Sequence, residues 1–438
     1  MTFDELKTKK VGAISLGCDK NRVDLEKMLF NLKNFGFKIC AEVEDCDIII
    51  VNTCAFIAPA TTEAISTILE MEELKQIKCE KLIVTGCLNN RYGIEVQHFF
   101  KNVDAFVDIK DNKNIVNIIL RLYNLQGNVD YKNGRFLTNL PHYAYLKIAD
   151  GCDNGCAYCT IPRIRGRYKS EPFDELLKEA KQLAEQGVKE LILVAQDITR
   201  YGTDLYNSNK LVDLIKELSK IKKLKWIRLH YCYPETITEE LLQEIKNNPK
   251  VCKYLDIPLQ HIDNKILKDM NRRSSEEDIR NLIQNIKTNY PEIAIRSTFI
   301  VGFPGETGKQ FKKLLEFLES AKLNNVGFFT YSKEEKTKAY FMKKQVPNFI
   351  KNIRLKKAQK IQEKVMHALN INQIGNTVDV LIDFYDEQEH VFVGRTAQNS
   401  PEVDFLVIFD EKQQVQIGEI QKAKLIGYYE GLFKGEII

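Results

Sequence analysis

Three cysteines carry the strongest chemical signal in the chain. They stand in the run Cys152-Asp-Asn-Gly-Cys156-Ala-Tyr-Cys159. The opening residues, MTFDELKTKK, lack the apolar core of a secretory signal. Clustered thiols in such a chain point to metal or redox chemistry rather than to disulfides. Three thiolates leave a structural zinc one ligand short, and the next cysteine, Cys232, lies far along the chain. A zinc site completed from elsewhere is the alternative. An iron–sulfur cluster with one iron left open is the better reading, because thiolates are its normal ligands.

A second set is dispersed. Cys18, Cys54 and Cys87 each come just after an apolar run, at residues 11–16, 47–51 and 81–85. If those runs are parallel strands, the three thiols converge at one sheet edge. A single free cysteine is most often an inert, buried, small hydrophobe. Three at equivalent strand ends instead describe a second cluster with an open iron. Cys40, Cys46, Cys79, Cys232 and Cys252 have no such register and read as structural. A third element, Val301-Gly-Phe-Pro-Gly-Glu306, follows an apolar run at 293–300 and opens a helix predicted over 306–322. Its glycines let backbone approach a ligand closely, although most turns of this kind are only turns.

The elements that must position these residues are of α/β type. Over 11–138, apolar runs (the last at 105–109) alternate with helical stretches at 21–35 and 59–74, which implies parallel βαβ units. From 141 to 333 strands are predicted to start near Tyr143, Lys189, Leu224, Lys253, Glu292 and Asn325, with helices such as 172–186 between them. Six units are too few for a closed eight-unit barrel, so an open six-unit barrel and a doubly wound sheet both fit. The first strand, 143–149, runs directly into the cysteine triplet. Residues 343–364 are basic and helix-prone, read most simply as a solvated helix face. Five short β runs follow, at 377–382, 391–396, 405–409, 420–426 and 428–433, and suggest a small OB-like barrel. The expected domains are 1–138, 139–342, a connector at 343–374, and 375–438.

Composition narrows the classes. The chain has 438 residues, 44% hydrophobic and 28% charged, and no apolar run of membrane-spanning length. A cytoplasmic protein without membrane contact is expected. Net charge is only +4. It is unevenly placed: residues 375–438 hold twelve acidic and five basic residues, a balance of −7, which leaves +11 elsewhere. Such a barrel repels an RNA backbone and attracts a basic protein.

With these motifs in view, the Cys152/Cys156/Cys159 triplet, with Tyr158 inside it, resembles the signature of the radical S-adenosylmethionine (SAM) superfamily. The added Cys18/Cys54/Cys87 domain and the small C-terminal barrel resemble the methylthiotransferase family, over nearly the whole chain. That resemblance implies two [4Fe–4S] clusters, one on each triplet, and SAM as cofactor. It implies the open six-unit barrel, a partial TIM barrel, and a TRAM domain at the C-terminus. It also implies that Tyr158, Gln196, Gly302, Pro304, Gly305 and Glu306 line the SAM site.

Two substrate classes exist in the family: an aspartate of small-subunit ribosomal protein S-twelve, and an adenosine in tRNA. The runs at 195–204, 229–234, 254–261 and 394–404 look like those of the ribosomal-protein type. The tRNA enzymes tend to show Gln-Asn after the second barrel strand and Ser-His-Pro where this chain has Cys232-Tyr-Pro234. The implied reaction turns the aspartate into 3-methylthioaspartate with two SAM. It breaks an unactivated C–H bond, which no side-chain acid or base does. A low-potential electron donor such as flavodoxin or ferredoxin, and a sulfur donor, are the implied partners. The competing readings are a tRNA adenosine 2-methylthiotransferase and a non-catalytic metal- or RNA-binding module.

Overall fold

The computed structural model describes residues 2–438. Strands β1 (Lys10–Ser15), β2 (Lys38–Ile39), β3 (Ile48–Thr53), β4 (Lys81–Gly86) and β5 (Ala105–Val107) form one parallel sheet in the order β2-β1-β3-β4-β5. The sequence of β3, IIIVNT, is buried at every position, as a central strand covered on both faces must be. Two separate apolar layers cover the faces: Leu25, Leu29 and Ile119 on one, Ile68, Leu82 and Leu88 on the other. In this strand order the direction of winding reverses between β1 and β3. The crevice beyond their carboxyl ends is where such sheets bind ligands.

Strand β6 (Tyr143–Lys147) opens the middle unit and leads into a two-residue pair, β7 (Ala149–Asp150) with β8 (Lys169–Ser170). The predicted single strand at 143–149 is therefore broken at Ile148. Then come β9 (Glu190–Val194), β10 (Trp226–Leu229), β11 (Tyr254–Gln260), β12 (Ala294–Val301) and β13 (Asn325–Thr330). They form two parallel sheets, β10-β9-β6 and β11-β12-β13, joined by a bridge between Ile227 and Val251. The order runs in sequence without reversal, and no ladder among the described residues returns β13 to β6. This is the open six-unit barrel, not a doubly wound sheet.

Helix Asn348–Ile371 takes up most of the basic stretch, with its lysine face solvated and the opposite face buried. Its Leu355, Ala358 and Ile361 pack into the barrel's core, and its Lys351 is buried. The helix is a further layer on β13 and on helix Gly308–Ala321. Strands β14 (Thr377–Asp386), β15 (Val391–Thr396), β16 (Leu406–Asp410), β17 (Ile420–Tyr429) and β18 (Leu432–Ile437) close a small barrel in the order β14-β15-β16-β18-β17. Its pairs are antiparallel except β16 with β18. The last predicted run, 428–433, straddles a turn instead: Glu430 and Gly431 both take positive φ, 48° and 87°, the pattern of a tight hairpin.

Candidate iron–sulfur and SAM sites

The dispersed triplet converges. Cys18 caps helix Asp19–Phe35 after β1, Cys54 follows β3, and Cys87 begins helix Cys87–Tyr92 after β4. Gly17 has φ 88°, and a Cβ there would lie 2.7 Å from the Cys54 sulfur, so only glycine fits between the first two thiols. Asn21 Nδ2 donates to the carbonyls of Leu16 and Thr53, both at 2.9 Å, and so pins the loops of Cys18 and Cys54. Cys87 Sγ stands 3.7 Å from Asn21 Oδ1. Burial raises the thiol of Cys54 and pushes that of Cys87 up to about 12, while the Arg165 guanidinium pulls both the other way. Among the described residues no three His, Cys, Asp or Glu side chains gather around one ion. A cubane sets each thiolate on its own iron, so three spaced soft ligands and a nearby cation fit a cluster better than a single metal.

The local triplet is gathered by a loop held from several sides. Gly151, at φ 70°, presses on Arg167, where a Cβ would meet the carbonyl oxygen at 2.1 Å. Ala157 donates to Met270 O at 2.9 Å and accepts from Ala339 N at 2.8 Å. Backbone N–H groups of Asn154 and Ile161 point at the sulfurs of Cys152 and Cys159, at 3.5 and 3.4 Å. Cys156 Sγ lies 3.9 Å from both Tyr233 Oη and Arg272 Nη1, and the guanidinium sits 4.3 Å from the Tyr233 ring centroid. Nothing in the local spacing of Tyr233 or Arg272 sets them apart in the sequence.

A cleft opens beside Cys156, lined by Asn154, Asp197, Arg200, Tyr233 and Arg272 among others. Burial raises the Asp197 carboxyl, which accepts from Asn154 at 3.1 Å. Its neighbour Gln196, at the end of β9, has both amide atoms buried without a partner. An unpartnered buried amide calls for a polar ligand. This orphan, beside a loop of three thiols, fits a polar cofactor such as SAM.

Tyr158 and the Gly302-to-Glu306 loop also meet here. The Tyr158 ring is 6.5 Å from that of Phe303, in a cluster with Ile266 and Met270. Gly302 has φ 74°, and a Cβ there would strike Lys351 Cγ at 2.4 Å. Glu306 does not face the cleft. Its Oε2 accepts from Gly302 N at 2.8 Å, its Oε1 from Arg354 at 2.7 Å, and it is 4% exposed. From there it braces the loop. Pro304 is buried in the same turn and Gly305 half-buried.

Arg165 joins the two triplets. It donates to Asn21 Oδ1 at 2.5 Å, to Asp24 at 3.0 Å and to Asp150 at 2.8 Å. Lys147 pairs with the same two carboxylates. Two cations and two carboxylates thus balance in a buried seam between the N-terminal sheet and the strand pair that flanks the cysteine loop. Nearby, the Lys20 ammonium sits 3.7 Å from the Tyr231 ring centroid and 2.9 Å from Asp19. Tyr231 holds φ 61°, a strained value for a non-glycine residue.

The small barrel is less free in its charges than its balance of −7 suggests. Asp404 is not exposed: Tyr254 donates to it at 2.7 Å, and Arg296 pairs with it at 3.4 Å. Arg395 is fully buried between Asp383 and Glu190, at 2.6 Å from each. Glu387 and Glu389 are exposed.

Comparison with known proteins agrees with this geometry. Residues 146–318 match the Radical SAM superfamily, 10–108 the uncharacterized protein family UPF0004, and 374–438 the TRAM domain. A ribosomal protein uS12 methylthiotransferase RimO of Thermoanaerobacter sp. (strain X514) is 42% identical over 437 residues, covering 98% of this chain and 100% of that protein. The chain belongs to the RimO family. A RimO of Clostridium botulinum (strain Eklund 17B / Type B) is 45% identical over 95% of both chains, and one of Alkaliphilus oremlandii (strain OhILAs) 45% over 91% of both. Among solved structures, the radical SAM methyltransferase TsrM of Kitasatospora setae shares the fold with a TM-score of 0.56 at 13% identity, over 74% of this chain and 75% of that one. No helix among the described residues is long and apolar enough to cross a membrane.

Proposed function

We propose that this chain is a radical SAM methylthiotransferase that converts an aspartate of ribosomal protein uS12 to 3-methylthioaspartate, using two SAM per turnover. The observation that carries the reading is the pair of cysteine triplets at adjoining strand ends, tied by Arg165 across one buried seam. Cys18, Cys54 and Cys87 would hold one [4Fe–4S] cluster, and Cys152, Cys156 and Cys159 the other. When bound, the clusters and SAM supply the one-electron chemistry, the sulfur and the methyl group that side chains cannot.

The chain's own groups bind, orient and exclude water. The Gln196 amide offers a donor and an acceptor to the polar groups of SAM. Tyr158 and the turn of Gly302, Pro304 and Gly305 would form one wall of the SAM site. Arg272 holds a positive charge beside Cys156 and keeps the Tyr233 ring in place. Lys20 and Arg165 place positive charge beside the N-terminal thiols. A flavodoxin or ferredoxin and a sulfur donor complete the reaction, in the cytoplasm. We take the domain limits as 1–138, 139–342, 343–374 and 375–438, with the basic helix packed on the middle barrel.

The test is anaerobic reconstitution, incubation with SAM, and mass spectrometry of uS12 and tRNA from a null strain. A mass gain on the uS12 aspartate supports the reading. A gain on tRNA adenosine instead selects the second family activity and overturns it.

A further inference from the structure

Helix Asn348–Ile371 presents two opposite faces. Lys351, Leu355, Ala358 and Gln362 turn inward, the first beneath Gly302 and the last bonded to Leu323 O at 2.9 Å. At 3.6 residues per turn the opposite face carries Phe349, Ile353, Lys356, Lys360 and Lys364, with Lys357 beside them. All six are exposed, Phe349 by 65% and Ile353 by 48%.

Several observations separate this stripe from an ordinary solvated face. None of its four lysines has an ion pair among the described residues, whereas elsewhere in the chain exposed lysines such as Lys265 and Lys312 pair with acids one turn away. Glu363 is the only acidic residue of the helix. Bare cations interleaved with an exposed aromatic ring match a phosphate backbone with unstacked bases. Exposed Lys343, Lys344 and Phe341 extend the patch toward the Gly302-to-Glu306 loop, where Lys344 O accepts from Gly305 N at 2.9 Å. The patch therefore borders the SAM site. A membrane surface is the poorer fit, because the helix spends its apolar side on the barrel core.

We infer that this stripe is an RNA-docking face, which holds the enzyme on an RNA-bearing form of its substrate, the small ribosomal subunit. The inference rests on the uS12 reading and deepens it. The charge layout fits a ribonucleoprotein: lysines on this helix meet phosphate, while the acidic small barrel faces basic protein.

The test compares the full reconstituted chain with a variant carrying K356Q, K357Q, K360Q and K364Q. Binding is measured to purified small subunits, to a labelled poly(U) oligonucleotide, and to vesicles of anionic phospholipid, each across a salt series. The parent is expected to bind subunits and poly(U) more tightly than vesicles. The variant should bind RNA at least about tenfold more weakly, and its slope of log affinity against log salt should fall by about 3, at ~0.7 per phosphate contact. Modification of free uS12 and uncoupled SAM cleavage should be unchanged. Equal affinity and slope in parent and variant overturn the inference, as does stronger binding to vesicles than to RNA. If the parent modifies no uS12, free or in subunits, the functional reading fails, and that failure is visible separately from the binding result.

Discussion

Arg165 Nη2 donates to Asn21 Oδ1 at 2.5 Å, and the Asn21 amide holds the two loops that carry Cys18 and Cys54. One buried guanidinium thus sets the N-terminal triplet against Asp150, two residues before Cys152. R165Q removes a partner from Asp24 and Asp150, and breaking a buried pair of this kind costs about 3–5 kcal/mol. The expected phenotype is uncoupling: 5′-deoxyadenosine still forms, with less modified product per nucleoside. Quantifying both species in one reaction checks this, and an unchanged ratio would sink it.

Iron content tests the two triplets separately. Anaerobically reconstituted protein should hold about eight irons per chain, two cubanes. Replacing Cys152, Cys156 and Cys159 with Ala should remove about half and abolish 5′-deoxyadenosine formation. Replacing Cys18, Cys54 and Cys87 should remove the other half and leave some SAM cleavage. Full iron in the second variant would refute the N-terminal cluster.

Gly302 and Lys351 form a steric pair, since a Cβ on the glycine would meet Lys351 Cγ at 2.4 Å. G302A should lose about 1–3 kcal/mol and weaken SAM binding, both through the clash and through the φ of 74°. Adding K351A should recover the steric part only. Thermal unfolding and equilibrium dialysis with SAM measure the two effects, and no recovery in the double variant would count against the clash.

The small barrel is expected to come loose in acid. Burial raises the Asp383 carboxyl, but His142 and Arg395 outweigh it and hold the group below its ordinary value. A depressed carboxylate contributes stability above its unfolded pKa of about 3.9 and loses it as pH falls through the folded one. Urea unfolding should therefore show parent and D383N far apart at neutral pH and converging below about pH 4. A constant gap would exclude this origin.

Exposed acids of the barrel should act on encounter, and buried ones on stability. E387K with E389K should slow association with basic uS12, more so at low salt, with little change in dissociation. D404N should leave association alone and destabilise the chain, because Asp404 is enclosed by Tyr254 and Arg296. Stopped-flow association and unfolding curves separate the two.

The chemistry was legible in the sequence because it is local. Thiols spaced within one loop, or placed at the ends of apolar runs, stand out as candidate ligands before any packing is known. The β/α alternation and the five β runs of the C-terminal barrel are likewise written in short-range hydrophobic pattern. What only the tertiary structure decided are relations between residues far apart in the chain. The unreversed strand order chose the open barrel, since a count of six β/α units fits two topologies. Glu306 braces its own loop because Gly302 and Arg354 meet its carboxylate in space. Arg395 and Asp404 are charged residues of the small barrel that are buried, because Glu190 and Tyr254, from the middle barrel, stand opposite them. Charge type is a property of a residue, whereas burial is a property of what packs on it, and no local pattern encodes that.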